Sequence, residues 1–280
     1  MKLVRFGVNG REKPGLVDRD GHIRDLSAHV ADIAGEALSP GALQKLAALD
    51  PSSLPRAPEG ARLGAPIATP SKFVAIGLNC ADHAAEAGMP LPSEPIIFLK
   101  ANTSICGPND NVEKPRGSTK LDWEVELGFV IGTRAKYVSE DKALDHVAGY
   151  CLANDVSERN FQLERQGTWT KGKSHDTFGP LGPWLVTKDE IADPHKLAMW
   201  LDVNGERQQT GSTATMIFKL PKLISYVSQF MTLMPGDVVV TGTPPGVGSG
   251  KKPPRFLNAG DVVTLGIDGL GTQRQTIVAA

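Results

Sequence analysis

KLDWEVELGFVIG, Lys120 to Gly132, has the β-branched and aromatic content of a buried strand yet carries three carboxylates. Alternate side chains of a strand share a face, so Asp122, Glu124 and Glu126 project one way and Trp123, Val125, Leu127, Phe129 and Ile131 the other. One face is core and the other is acid. Glutamates at i and i+2 lie close enough to bind one hard cation from the same side, and without a cation they would repel each other and be costly to bury. The next apolar run, GYCLANDVSERN, delivers a third acid, Asp155, at the end of a neighbouring strand. Glu124, Glu126 and Asp155 can therefore converge. Oxygen donors with no nearby His or Cys select Mg²⁺ or Mn²⁺ and leave positions for water or substrate. The competing reading is the solvent face of an edge strand, with Lys114, Arg116 and Lys120 as exposed partners.

The rest of the chain sets limits on this choice. Its 280 residues are 40% hydrophobic and 22% charged, with a formal net charge of −1, which suits a globular core and gives no electrostatic footprint for nucleic acid or an anionic membrane. Cys80, Cys106 and Cys151 are odd in number and show no CxxC spacing, so a reducing cytoplasm is expected rather than a disulfide framework or zinc site. No signal peptide or membrane-spanning run is read from the sequence.

Residues 1–66 read as a small N-terminal α/β domain: short strands in MKLVRFG, KPGLVD and RDGHIRDLS, then a helix in SPGALQKLAALD capped by Ser39. PSSLPRAPEGARLGAPIATP, with five prolines, reads as a linker or extended connection. Residues 67–280 read as a second, strand-rich domain. Asn204-Gly205 marks a hairpin, and the expected helices lie around Ser139–Ala148 and within STATMIFKLPKLISYVSQFMTL. Strands separated by glycine-rich loops argue against a doubly wound sheet or a TIM barrel. The expected class is α+β, mostly β, a mixed β-roll or barrel-like sandwich.

Other residues point to chemistry. In GLNCADHAAEAGMP, His83 and Glu86 stand one helical turn apart, so the carboxylate can orient the imidazole as a general base; the competing reading is an ordinary surface pair. Lys173 sits among prolines and aromatics in WTKGKSHDTFGPLGPW, an unusual place for a solvated lysine, against the alternative of an ordinary loop lysine. TGTPPGVG fits no GxxxxGK[ST] phosphate loop and reads as a rigid wall of backbone amides with Thr243. The loop Gln208–Met216 and a lid around Met89 are expected to shape the pocket.

Taken together and in order, NCADHAAE, DWEVELGFVIG, NDVSERNFQ, KGKSHDTFGPLGPW and TGTPPGVG resemble the fumarylacetoacetate hydrolase family over about residues 67 to 280. The resemblance implies a β-roll homodimer with Mg²⁺ or Mn²⁺ in an open pocket. It implies metal ligation by Glu124, Glu126 and Asp155, catalysis by His83, Glu86 and Lys173, and substrate contacts from Arg159, Gln162 and Thr243. Asn79 stands where larger eukaryotic members have a fourth acidic ligand, which places the chain in a three-carboxylate bacterial branch. The implied reaction is hydrolysis of the C3–C4 bond of a 2,4-diketo acid to pyruvate and a carboxylic acid. The leading segment is similar to bacterial members of sugar-acid degradation that act on 2,4-diketo-3-deoxy-L-rhamnonate. Oxaloacetate decarboxylation, an isomerase or ureidoglycolate lyase-type activity, and a non-catalytic metal-binding protein are the alternatives.

Overall fold

The computed structural model describes residues 1–86 and 88–280. Lys120–Gly132 enters the fold as two strands, Leu121–Asp122 and Val125–Ile131, and the longer lies in the middle of a nine-stranded mixed sheet. Across that sheet the order is Ile23–Asp25, Lys13–Val17, Lys2–Phe6, Leu185–Thr187, Val147–Asn154, Val125–Ile131, Val238–Val240, Phe73–Gly77 and Ile96–Lys100. Neighbours are antiparallel except Val238–Val240 beside Phe73–Gly77. A five-stranded sheet, Glu206–Ser212, Ala198–Val203, Val262–Ile267, Gly271–Ala279 and Val112–Lys114, packs against one face. The chain is thus α+β and mostly β, and neither large sheet closes into a barrel among the described residues.

The alternation read from the sequence places Trp123, Val125, Leu127, Phe129 and Ile131 in the core between the sheets, with Leu201 and Leu265 from the smaller one. Val130, on the opposite face, meets Leu3, Leu16, Leu38 and Leu46 of the leading segment. The glutamate strand is therefore covered on both faces, and the edge-strand reading is corrected. Lys114 and Lys120 do not pair with Glu124 or Glu126: Lys114 reaches the Leu257 carbonyl and Asn258, and Lys120 reaches Glu164.

Residues 1–66 contribute three strands to the large sheet through pairing of Leu3 with Leu185. Ser39 caps the helix Pro40–Ala47 by accepting from the Ala42 N–H. The proline-rich stretch is an extended strap, held by Gly64 N–H to the Arg5 carbonyl and Ala57 N–H to the Ile23 carbonyl. The Asn204-Gly205 turn has positive φ at both residues (54° and 78°), as a type I′ hairpin requires. Leu220–Phe230 is helical and buries Leu220, Leu223, Ile224 and Val227, the stripe that a period of 3.6 produces. The helix expected around Ser139–Ala148 is instead a 3₁₀ segment, Glu140–His146, because Val147 and Ala148 already belong to the strand beside the glutamates.

Candidate active site

Antiparallel pairing sets Ala153 opposite Glu126 and Asn154 opposite Val125, which carries Asp155 to the same end of the sheet as both glutamates. The Asp155 N–H donates to the Glu124 carbonyl (2.9 Å), fixing that crossing. Between Asp122 and Val125 the ladder is interrupted, and side chains satisfy the backbone there. Asn154 Oδ1 accepts from Glu124 N–H (3.1 Å) and Gln209 Oε1 from Val125 N–H (3.0 Å). Glu124, Glu126 and Asp155 are 6%, 2% and 1% exposed, and each offers a ligand oxygen within 4.8 Å of the others.

The cations around them are buried as well. Lys173 Nζ donates to Glu124 Oε2 and Asp155 Oδ2, both at 2.8 Å. Arg159 bridges Asp122 (2.8 Å) and Glu124 (2.7 Å) and donates a third bond to Gln162 Oε1 (3.0 Å). Lys100 Nζ reaches Asp155 Oδ1 (2.5 Å) and the Val156 carbonyl. Burial opposes ionisation of Glu124, but Lys173 and Arg159 hold its carboxyl down at about 2. Glu126 makes no such ion pair: burial and the charges of Asp155 and Glu124 lift it well above the ordinary carboxylate range, against the Lys173 charge and one Gly242 N–H bond at 2.8 Å. A cluster of hard oxygens with one under-compensated carboxylate is a donor set that fits a divalent cation.

The cluster forms the base of an open cavity of about 330 Å³. His83, from the helix Ala81–Glu86, lines its wall with Nδ1 3.1 Å from Glu86 Oε2. Glu86 also accepts from the Gly246 N–H (2.9 Å), so the TGTPPGVG wall and the His83 helix brace each other. The opposite wall carries Phe98 and Trp169, packed edge to face with centroids 5.3 Å apart.

The structure brings all nine residues singled out from the sequence to this cavity. It also alters parts of the reading. The Thr243 hydroxyl donates to the Val125 carbonyl (3.0 Å) and accepts from Gln209 Nε2 (2.8 Å), so it is committed to the scaffold. Met89 lines the cavity, whereas no residue of Gln208–Met216 does, because Glu206–Ser212 is a strand of the second sheet. Asn79 turns away from ligation: its amide donates to the Thr241 and Phe218 carbonyls and accepts from the Phe218 N–H. Cys80 and Cys151 are buried thiols pushed up to about 12 by desolvation and are not nucleophiles.

Two participants went unread. Lys100 closes the apolar run PIIFLK on the same face as Phe98, and a lysine on the inward face of a strand was the available signal. Asp122, which the alternation places on the acid face and to which the sequence reading gives no role, accepts from the Trp123, Gly248 and Ser249 N–H groups and from Arg159 and so anchors the loop.

A β-rich fold that buries a cluster of carboxylates beneath a histidine–glutamate pair, at the base of a cavity of metabolite size, is the framework of an enzyme acting on small acids. The chain belongs to the fumarylacetoacetate hydrolase family. Residues 72–278 match its C-terminal domain. A Burkholderia ambifaria protein provisionally named a hydrolase is 60% identical over 99% of this chain and 98% of its own. The solved fumarylacetoacetate hydrolase of Exiguobacterium antarcticum is 36% identical with a TM-score of 0.89, covering 100% of both chains. Maleylpyruvate hydrolase from Sphingobium sp. SYK-6, solved with manganese and pyruvate, is 29% identical with a TM-score of 0.81, again over 100% of both.

Proposed function

We propose that the protein is a divalent-metal-dependent hydrolase that cleaves the C3–C4 bond of a 2,4-diketo acid, with 2,4-diketo-3-deoxy-L-rhamnonate giving pyruvate and L-lactate. The observation that carries this reading is the buried Glu124, Glu126 and Asp155 cluster at the base of the cavity that His83 and Glu86 flank. These three carboxylates would hold Mg²⁺ or Mn²⁺, which supplies Lewis-acid polarisation of the substrate's 2-oxo and carboxylate end. The manganese and pyruvate in the Sphingobium relative support that choice.

The remaining chemistry falls to this chain's own residues. Glu86 accepts from His83 Nδ1, which leaves Nε2 free to take a proton from the water that attacks C4. Lys173, 2% exposed, provides a fixed cation for the oxyanion formed at C4, and its own burial limits screening by water. Collapse of that oxyanion breaks C3–C4, forms the new carboxylic acid and leaves the enolate of pyruvate, which is protonated at C3. Arg159 and Gln162, hydrogen bonded to each other, orient the substrate carboxylate. Every residue named for catalysis lies in 67–280, and residues 1–66 serve as support for the sheet. The family resemblance adds a cytoplasmic homodimer.

Product analysis tests this. With Mn²⁺ or Mg²⁺, 2,4-diketo-3-deoxy-L-rhamnonate should yield pyruvate and lactate faster than acetylpyruvate does, and EDTA should stop both. His83→Ala should lower the rate roughly 100-fold or more while sparing metal affinity. CO₂ from oxaloacetate as the sole turnover would replace hydrolysis with decarboxylation and remove the water-activating role of His83.

A further inference from the structure

The cavity is asymmetric in charge. At and beneath its base four carboxylates, Asp122, Glu124, Glu126 and Asp155, face three cations, Lys100, Arg159 and Lys173, which leaves one negative charge in excess once all four acids are ionised, as a bound divalent ion requires. A divalent ion there turns the excess into one positive charge, which balances a single substrate carboxylate. Arg159 and Lys173 are the only Lys or Arg among the described lining residues, and both are tied by ion pairs to the acids at the base, where the reading above uses them on the reacting end of the substrate.

Away from the base the wall is polar at His83, Glu86 and Ser249 and apolar at Ile76, Met89, Phe98, Leu163, Trp169 and Val247. Trp169 is locked in place. Its ring lies on the strand Phe73–Gly77 where a Cβ at Gly77 would come within 2.3 Å of it, and Phe98 meets it edge-on. Met89 and Leu163, at 49% and 54% exposure, are large apolar side chains kept in water beside the cavity. Such side chains gain by covering an apolar group, at roughly fourfold in affinity per methylene buried, and they lose by desolvating a charge.

Resting on the metal-dependent reading above, we infer that Met89, Phe98, Leu163 and Trp169 form a specificity wall. It selects monocarboxylate 2-oxo acids with a short, uncharged acyl tail and rejects those whose tail ends in a second carboxylate. A second carboxylate would lie against apolar groups, with no further Lys or Arg among the described lining residues to meet it. The wall thus sorts substrates by the end remote from the reacting carbonyl, and the shared 2-oxo acid end binds identically in both classes.

Two uncleaved acids of equal length test the wall by calorimetry on the Mn²⁺-loaded protein: 2-oxohexanoate, ending in methyl, and 2-oxoadipate, ending in carboxylate. The wild type should bind 2-oxohexanoate at least about tenfold more tightly. Leu163→Lys, a change at an exposed position whose folding is checked by its melting midpoint, should narrow the gap by strengthening 2-oxoadipate, and Trp169→Ala should narrow it by weakening 2-oxohexanoate. Equal or tighter binding of 2-oxoadipate by the wild type overturns the wall and leaves the metal-dependent hydrolase standing. A gap that neither substitution changes overturns the assignment to these residues. Failure of both acids to bind, with Mn²⁺ bound, overturns the 2-oxo acid reading and this inference with it.

Discussion

Asp18, Asp20 and His22 can bring ligand atoms within 4.8 Å of one another, as Glu124, Glu126 and Asp155 can, yet the two groups have opposite surroundings. The first sits on a turn between the strands Lys13–Val17 and Ile23–Asp25. Asp18 accepts from the Asp20 and His22 N–H groups (3.0 and 2.9 Å) and from Arg24 (2.6 Å), so its oxygens are already used in closing the hairpin. In the second group Glu126 keeps its lone pairs facing two other carboxylates, with a single backbone donor. Proximity of acids is common. What separates a site from a turn is the cost of leaving the acids as they are.

That contrast predicts unequal responses to loss of one oxygen. Glu126→Gln should abolish divalent-ion binding by calorimetry and lower metal-dependent turnover roughly 10³-fold or more. If Glu126→Gln bound Mn²⁺ as the wild type does, the two acid groups would no longer differ in kind.

A second, intermediate effect concerns pH. A carboxyl raised in the folded protein contributes stability while it is protonated, fully so below the ordinary glutamate range, and that contribution is lost as pH rises through the raised value. A divalent ion needs the ionised form. Mn²⁺ affinity should therefore climb with pH by about tenfold per unit until Glu126 is ionised, then level off. Calorimetric titrations between about pH 5 and pH 8 would show the slope, and an affinity independent of pH would mean that the ion displaces no proton from this cluster. The smallest effect belongs to the hairpin. Asp18→Asn should shift the melting midpoint slightly and leave Mn²⁺ affinity and turnover unchanged.

The site was more legible in the sequence than the fold around it, for reasons that separate along the chain. The alternation in Lys120–Gly132 is a local property of strands, so Glu124, Glu126 and their apolar partners could be assigned to faces without any knowledge of the neighbours. Whether the acid face met water or protein depended on Val147–Asn154 and Val238–Val240 flanking it, a long-range pairing that no local pattern encodes. The same limit explains Glu140–His146, whose charged residues suit a helix but whose continuation was claimed by the sheet. Lys100 was hidden because a terminal lysine on a strand ordinarily reaches solvent, and its burial is made tolerable by the Asp155 carboxylate and the Val156 carbonyl, which no local pattern shows. Thr243 lines the cavity, and the commitment of its hydroxyl to Val125 and Gln209 depends on a second sheet contributed by residues far along the chain.

The place of the glutamate strand in the large sheet also governs how the protein is made. One partner strand, Val147–Asn154, follows it soon in the chain, but the other, Val238–Val240, and the Gly242 N–H that meets Glu126 come close to the chain's end. A ribosome working through this message has emitted all three acids and all three cations of the cluster well before the strand that shuts them in. Until then the nascent sheet presents an open edge beside hydrated, mutually repelling carboxylates, the kind of intermediate that chaperones shield. A chain halted just short of Val238 would carry all three acids and still lack the strand and the Gly242 N–H that complete the surroundings of Glu126.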